Sequence, residues 1–259
     1  MLSCLCIMGP ALAEAFIPEP AHLMYLVCEK IRQPAGLEVH QTVKILDFNS
    51  SEKPVVNIEE KLLFLFPDRL RTEIVSGPCK GFSLESPAGF LKVEDGRIVS
   101  HEKSPADRYT DIVLYRNYEA MLSCLAGAGI DVSMVSMQRY HGKICYVLGV
   151  SSAGDDGPGL WIEKDSFLPL RYVIYKNRQK LEIFYDHWQN TGRAWYPAKI
   201  SIFSDDRLFS VIDAVRVYLK SGFSSSLFDP DRVRRSCLPE LENPDVHFNT
   251  MKNLKELYE

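Results

Sequence analysis

Residues 160–230 read LWIEKDSFLPLRYVIYKNRQKLEIFYDHWQNTGRAWYPAKISIFSDDRLFSVIDAVRVYLKSGFSSSLFDP. Runs rich in β-branched and aromatic residues at 160–163, 170–175, 181–185, 198–203 and 208–219 are set apart by polar turn signals: Lys164-Asp165-Ser166, Lys176-Asn177-Arg178, Thr191-Gly192 with Pro197, and Ser204-Asp205-Asp206. This is the pattern of consecutive hairpins. Nothing in the ladder has the arrangement of a catalytic motif. It predicts a surface, and the question becomes what that surface holds.

Upstream, Leu23, Leu26, Val27 and Ile31 recur at helical spacing after Pro18 and Pro20, and Pro34-Ala35-Gly36 ends the pattern, which predicts an amphipathic helix. From residue 37 to 47 the period becomes two, with Leu37, Val39, Gln41, Val43 and Ile45 alternating against polar neighbours. A loop at 49–54 precedes a second strand at 58–66. Its end, Leu62-Leu63-Phe64-Leu65-Phe66, is apolar on both faces, so both faces should be covered. Further short strands are expected at 69–76, 81–85, 89–94 and 97–101, with Asp95-Gly96 a strong hairpin turn. A second helix carries Ile112, Tyr115, Tyr118, Ala120, Met121, Leu122 and Leu125, ended by Gly127 and Gly129. Strands at 132–139 and 143–150, joined at His141-Gly142, lead through a Gly- and Asp-rich loop into the ladder. The sum is a mainly β (α+β) chain of about ten antiparallel strands, with helices covering one face.

At 259 residues, with 46% hydrophobic and 25% charged residues, the chain fits one large β domain with a substantial core. The net charge of −4 and the scatter of basic residues exclude a nucleic-acid footprint; Arg232, Arg234 and Arg235 form the densest group. Residues 1–15 read as a secretory signal: an apolar run from Leu2 to Met8, a break at Gly9-Pro10, and small residues at Ala11, Ala13 and Ala15. The basic residue that usually precedes such a run is missing, so a packed or disordered apolar N-terminus remains the alternative, and a lipid-modified Cys4 is the less favoured one. No run approaches the roughly 20 apolar residues that cross a bilayer as a helix. The expected organisation is a signal at 1–15, a domain at 16–235, and a tail at 236–259 with a short helix marked by Val246, Met251, Leu254 and Leu257.

The search for chemistry finds no candidates. The six histidines lie apart, with no HExxH, GxSxG or Cys/His pattern at ligand spacing. Asp155-Asp156 lacks the alternating oxygens of a calcium loop, and Asp186-His187 has no nucleophile elbow near it. No catalytic residue, metal or cofactor is therefore assigned. Cys28, Cys124 and Cys145 read as core fillers; Cys79 and Cys237, in polar segments, are a candidate disulfide. What remains is apolar area, and a curved sheet under amphipathic helices suits either a self-filled core or a cavity for acyl chains, whose binding follows buried area at roughly 25 cal/mol per Å2.

Residues 20–229 resemble the periplasmic lipoprotein carriers and outer-membrane lipoprotein-sorting proteins, LolA-like and LolB-like. The likeness lies in the order of elements: the helix-then-strand opening, LLFLFPDRLRTE at 62–73, Gly89-Phe90-Leu91 before Asp95-Gly96, LWIEKDSFLPLRYVIY at 160–175, Tyr185-Asp186, Trp195-Tyr196-Pro197-Ala198-Lys199-Ile200, and a last strand running into SSSLFDP. The resemblance implies an incomplete antiparallel β-barrel whose helix-covered concave face receives acyl chains. It also implies a non-enzymatic, monomeric carrier or chaperone in the periplasm, with lipid or lipoprotein acyl chains as cargo and an envelope transporter or outer-membrane acceptor as partners. Strand parity then places Leu62, Phe64, Phe66, Leu70, Thr72 and Ile74 toward the helices, together with Trp161, Leu170 and Tyr172. The sequence departs from the family at Leu65-Phe66, where the carrier has a basic pair whose Arg holds the helical layer closed. A latch of that kind, and docking to the usual transporter, are not implied here.

Overall fold

The computed structural model describes residues 17–32, 34–47, 50–151 and 157–237. The signal at 1–15 and the helix expected in the tail lie outside the described residues. Helix α1 (Pro20–Ile31) opens the fold and leads into a six-strand meander: β1 (Gly36–Asp47), β2 (Ser50–Leu65), β3 (Arg69–Ser76), β4 (Gly81–Ser86), β5 (Gly89–Glu94) and β6 (Arg97–Ser100). A 3-10 turn (Pro105–Arg108), α2 (Tyr109–Leu114) and α3 (Tyr118–Gly127) follow. A second meander runs through β7 (Val135–Tyr140), β8 (Lys143–Leu148), β9 (Gly159–Glu163), β10 (Pro169–Lys176), β11 (Gln179–Asn190), β12 (Trp195–Ser204) and β13 (Arg207–Leu219), before a 3-10 turn (Ser225–Phe228) and α4 (Pro230–Ser236).

All strands of the described residues join one antiparallel sheet in the order β6-β5-β4-β3-β2-β1-β13-β12-β11-β10-β9-β8-β7. The sheet stays open, as the expected incomplete barrel requires, and its thirteen strands among the described residues exceed the ten or so read from the sequence. The meanders meet where β1 pairs with β13, Leu37 opposite Leu219. Strand β2 begins at Ser50, inside the stretch expected to be a loop, because the β1–β2 ladder absorbs irregular steps around Leu46 rather than ending there.

The turns explain why the register is sharp. Asp95-Gly96, His141-Gly142, Asn177-Arg178 and Asp205-Asp206 each place two successive residues at positive φ, the backbone of a two-residue turn that matches strand twist. Helix α1 buries Leu23, Met24, Val27, Cys28 and Ile31, a stripe one residue wider than the sequence reading, with Leu26 only half-buried at its margin. The single second helix expected from the sequence is instead two. Tyr115 leaves α2 with extended ψ, and Asn117 caps α3 by accepting from the backbone N–H of Glu119 and Ala120, a strong N-terminal signal that overrides a continuous apolar stripe.

Two apolar layers result. On the helix-covered face, α1 and α3 bury Leu23, Val27, Ile31, Met121 and Leu125 against Leu148, Leu160, Ile162, Tyr172, Ile183 and Ile200. On the opposite face, Leu63, Leu84, Leu91 and Val93 are covered by Phe228 and α4's Val233. The two-sided apolar run at 62–66 is thereby accounted for: Leu62 and Phe64 face the helices, and Leu63 faces the C-terminal segment. Cys79 and Cys237 are free thiols, not a disulfide.

Candidate functional site

The helix-covered face holds the largest cluster of buried apolar side chains among the described residues. Side chains alternate along a strand, and the β1–β2–β3 register stacks Leu37, Phe64 and Leu70 in one row and Val39, Leu62 and Thr72 in the next. Leu62, Phe64 and Leu70 are buried in a cluster with Val113 and Leu114 of α2 and with Tyr196 of β12. Phe66 stacks on Phe64 with ring centroids 5.7 Å apart and is half-buried at the cluster's edge. Thr72 and Ile74 continue the row, half-buried, with Ile74 opposite Glu60. Tyr172, fully buried, lies in the larger cluster beneath α1 and α3.

Trp161 and Leu170 are not brought together with these. Leu160 and Ile162 face the helices, so Trp161 between them points the other way, packing with Cys145, Val147 and Val173. There the Arg171 guanidinium sits 4.1 Å from its ring centroid and pairs with Glu182. A ladder irregularity between Pro169 and Arg171 breaks simple parity, leaving Leu170 against the Trp161 cluster while Tyr172 faces the helices.

Polar groups tie the helices to the sheet, and sequence reading missed all of them. The Gln41 amide, 2% exposed, donates to the Tyr109 hydroxyl at 2.7 Å and to Glu60 Oε2 at 2.8 Å, while the Tyr185 hydroxyl donates to the Tyr109 carbonyl at 3.0 Å. Burial pushes the Glu60 carboxyl up to about 7, against the opposing hydrogen bond from Gln41. Farther along, Lys103 Nζ donates to Glu85 Oε2 at 2.7 Å and to Asp111 Oδ1 at 2.6 Å. Burial works against the Lys103 charge, but the two carboxylates outweigh it and hold its pKa above the ordinary lysine value.

Arg116 occupies the corner between α2 and α3. Its guanidinium donates to the carbonyls of Val113, Ile31, Arg32 and Trp195, joining the ends of α1 and α2 to β12. Burial pushes its pKa down to about 9. Helix C-termini carry partial negative charge, which stands in for a carboxylate. The Asn117 cap beside it was the sequence signal that could have located this corner.

The described cavities on this face are small. One of about 230 Å3 lies between the β4–β5 turn and the α2–α3 corner, and one of about 50 Å3 opens beside Ala106, Ile174 and Phe209. Both fall below the ~300–1,000 Å3 of a typical small-molecule pocket. Among the described residues no group of three or more His, Cys, Asp or Glu has metal-holding geometry, and no helix is long and apolar enough to cross a membrane.

An open antiparallel sheet with its helices laid across one face is the LolA-like fold. A LolA superfamily protein from Nitrosomonas europaea superposes with a TM-score of 0.55 at 12% identity, covering 83% of this chain and 99% of that one. A DUF1329 family protein from Desulfovibrio piger gives 0.55 at 14% identity, covering 83% and 100%. A domain from Vibrio parahaemolyticus described as an outer membrane lipoprotein-sorting protein gives 0.55 at 10% identity, covering 83% and 98%. No protein-family model matches the chain, and no curated protein matches it by sequence. At these identities the likeness establishes the fold.

Proposed function

We propose that this chain is a non-enzymatic carrier of the cell envelope that binds lipid acyl chains, or the acylated end of a lipoprotein, between its helical layer and its sheet. The observation that carries this reading is the nature of that interface. Helices α1 and α3 meet the sheet through apolar side chains, and separating two apolar surfaces around an acyl chain exchanges one apolar contact for another at little net cost. Polar ties concentrate at α2, its flanks and the C-terminal end of α1, through Tyr109, Asp111 and Arg116, so α2 and that end of α1 are the anchored parts, and α3 with the earlier turns of α1 the part that lifts. A periplasmic address and a role in outer-membrane lipoprotein sorting belong to the same proposal, supported by the fold and by the signal-like residues 1–15.

The test is uptake of a fluorescent fatty acid by refolded full-length protein, together with native mass spectrometry of protein isolated from envelopes. Saturable uptake and co-purified acyl ligands are expected. Clean spectra with no uptake would overturn the reading.

The filled face favours a second one, in which the half-barrel is an interaction module packed with its own side chains. In that case acyl ligands leave amide exchange in α1 and α3 unchanged, whereas a carrier shows faster exchange in both on ligand uptake.

A further inference from the structure

The 230 Å3 cavity has a polar floor whose acceptors and donors are unequally used. All four carboxylate oxygens at its base are engaged inside the protein. Glu85 accepts from Lys103 and from the Tyr115 hydroxyl. Asp111 accepts from Lys103 on one oxygen and, on the other, from Arg108 at 3.3 Å and the Tyr172 hydroxyl at 3.4 Å. The donors are not exhausted. A guanidinium carries five N–H groups, of which Arg108 directs one at Asp111, and Lys103 has a third ammonium hydrogen beyond its two carboxylate contacts. Arg108 stands at the rim with its side chain 32% exposed, above Asp111 at 2%. The two cations balance the two carboxylates, so an incoming anion meets a neutral floor presenting N–H groups.

One side of the cavity is apolar. Phe90 lines the cavity beside Tyr115 and Cys124, and the Tyr115 ring packs against both apolar clusters of the helix-covered face. Tyr172 belongs to the larger of these while its hydroxyl touches Asp111. Through Tyr115 and Tyr172 the surroundings pass from N–H donors to buried hydrocarbon, the profile that the junction of head and tail in an amphiphile requires.

We propose that this cavity receives the anionic head, phosphate or carboxylate, of a single-chain amphiphile: the Arg108 fork and the free Lys103 hydrogen take its oxygens, and its chain runs past Tyr115 into the layer under α3. Planar guanidinium groups bind such oxyanions in bidentate fashion, and a cavity of this volume holds a head and not a long chain. The proposal rests on the carrier reading and names the class of cargo it selects.

The test compares dodecyl phosphate, dodecanoate and neutral dodecanol by equilibrium titration into full-length protein, with inorganic phosphate as competitor. Wild type is set beside Arg108→Gln and Arg108→Lys. Both anionic amphiphiles should bind at least about tenfold more tightly than dodecanol, Arg108→Gln should bring the ratio to within about twofold, and Arg108→Lys should restore part of it. Equal binding of anionic and neutral amphiphiles by wild type, or a preference that survives in Arg108→Gln, overturns the head site and leaves the carrier reading intact. Absence of binding by all three amphiphiles overturns both. Binding of inorganic phosphate with no binding of dodecyl phosphate overturns the amphiphile assignment in favour of a free anion.

Discussion

The guanidinium carbon of Arg116 lies 4.7 Å from the centre of the Phe66 ring. This contact closes one edge of the helix-covered face, with the cation supplied by the helical layer and an aromatic ring by the β2–β3 turn. The two residues anchor different predictions.

Arg116 satisfies four backbone carbonyls at once. Arg116→Ala leaves buried acceptors without a donor and should lower stability by about 2–4 kcal/mol, read as a reduced urea midpoint. Arg116→Lys, lacking the fork, should recover less than half of that loss. A midpoint unchanged in the alanine variant would show that these bonds contribute nothing net.

Phe64 and Phe66 are stacked neighbours, yet a glutamate should be received very differently at the two positions. At 64 the side chain is fully buried among apolar groups, and Phe64→Glu should cost roughly 4 kcal/mol or more, or prevent folding. At 66 the new carboxylate would stand beside Arg116, a buried cation with no carboxylate partner among the described contacts, and the cost should be smaller by at least about 2 kcal/mol. Equal destabilisation by urea titration would refute the pairing.

Glu60 makes stability fall as pH rises. Its folded pKa, near 7, exceeds the unfolded value of about 4.3, so between those limits the folded state holds more protons than the unfolded one. The penalty is absent at pH 4 and complete above pH 8. Glu60→Gln removes it, and the stability difference between variant and wild type should grow from near zero at pH 4.5 to on the order of 2–3 kcal/mol at pH 8. A difference that stays flat across this range would show that the carboxyl is not held up by burial.

Arg178 sits at φ 68 in the second position of the β10–β11 turn, after Asn177 at φ 53. Asn-Gly is the favoured pair for this geometry, so Arg178→Gly should stabilise by about 0.5 kcal/mol and raise the Tm by roughly 1–2 °C. A lower Tm would mean that the Arg178 side chain makes contacts worth more than the relief of its backbone.

The ladder was legible because each of its signals is local. Two-residue turns such as Asp95-Gly96 carry their conformation in their own chemistry, and the run at 62–66 announced two covered faces because its apolar residues do not alternate with polar ones. The parity argument failed at β10, where an irregular step near Pro169 reverses the face of Leu170; a proline at a strand start signals a broken ladder but not which way the next side chain turns. The polar ties were illegible for a different reason. Gln41 meets Tyr109 and Tyr196 across 68 and 155 positions, and a glutamine in phase with Leu37, Val39, Val43 and Ile45 shows its face but not its distant partners. Arg116 was hidden by its setting, a cation inside an apolar stripe that a continuous helix would have turned toward solvent.

The pairing of β1 with β13 gives the molecule a timetable. The first strand waits at the middle of the sheet for the last, so during synthesis the β1–β6 wing must persist with its central edge unpaired until almost the whole described chain has been made. Distant pairing of this kind slows folding, and an unpaired edge invites another chain. A product truncated before β13 would therefore be two half-sheets with open seams, prone to join their neighbours instead of each other.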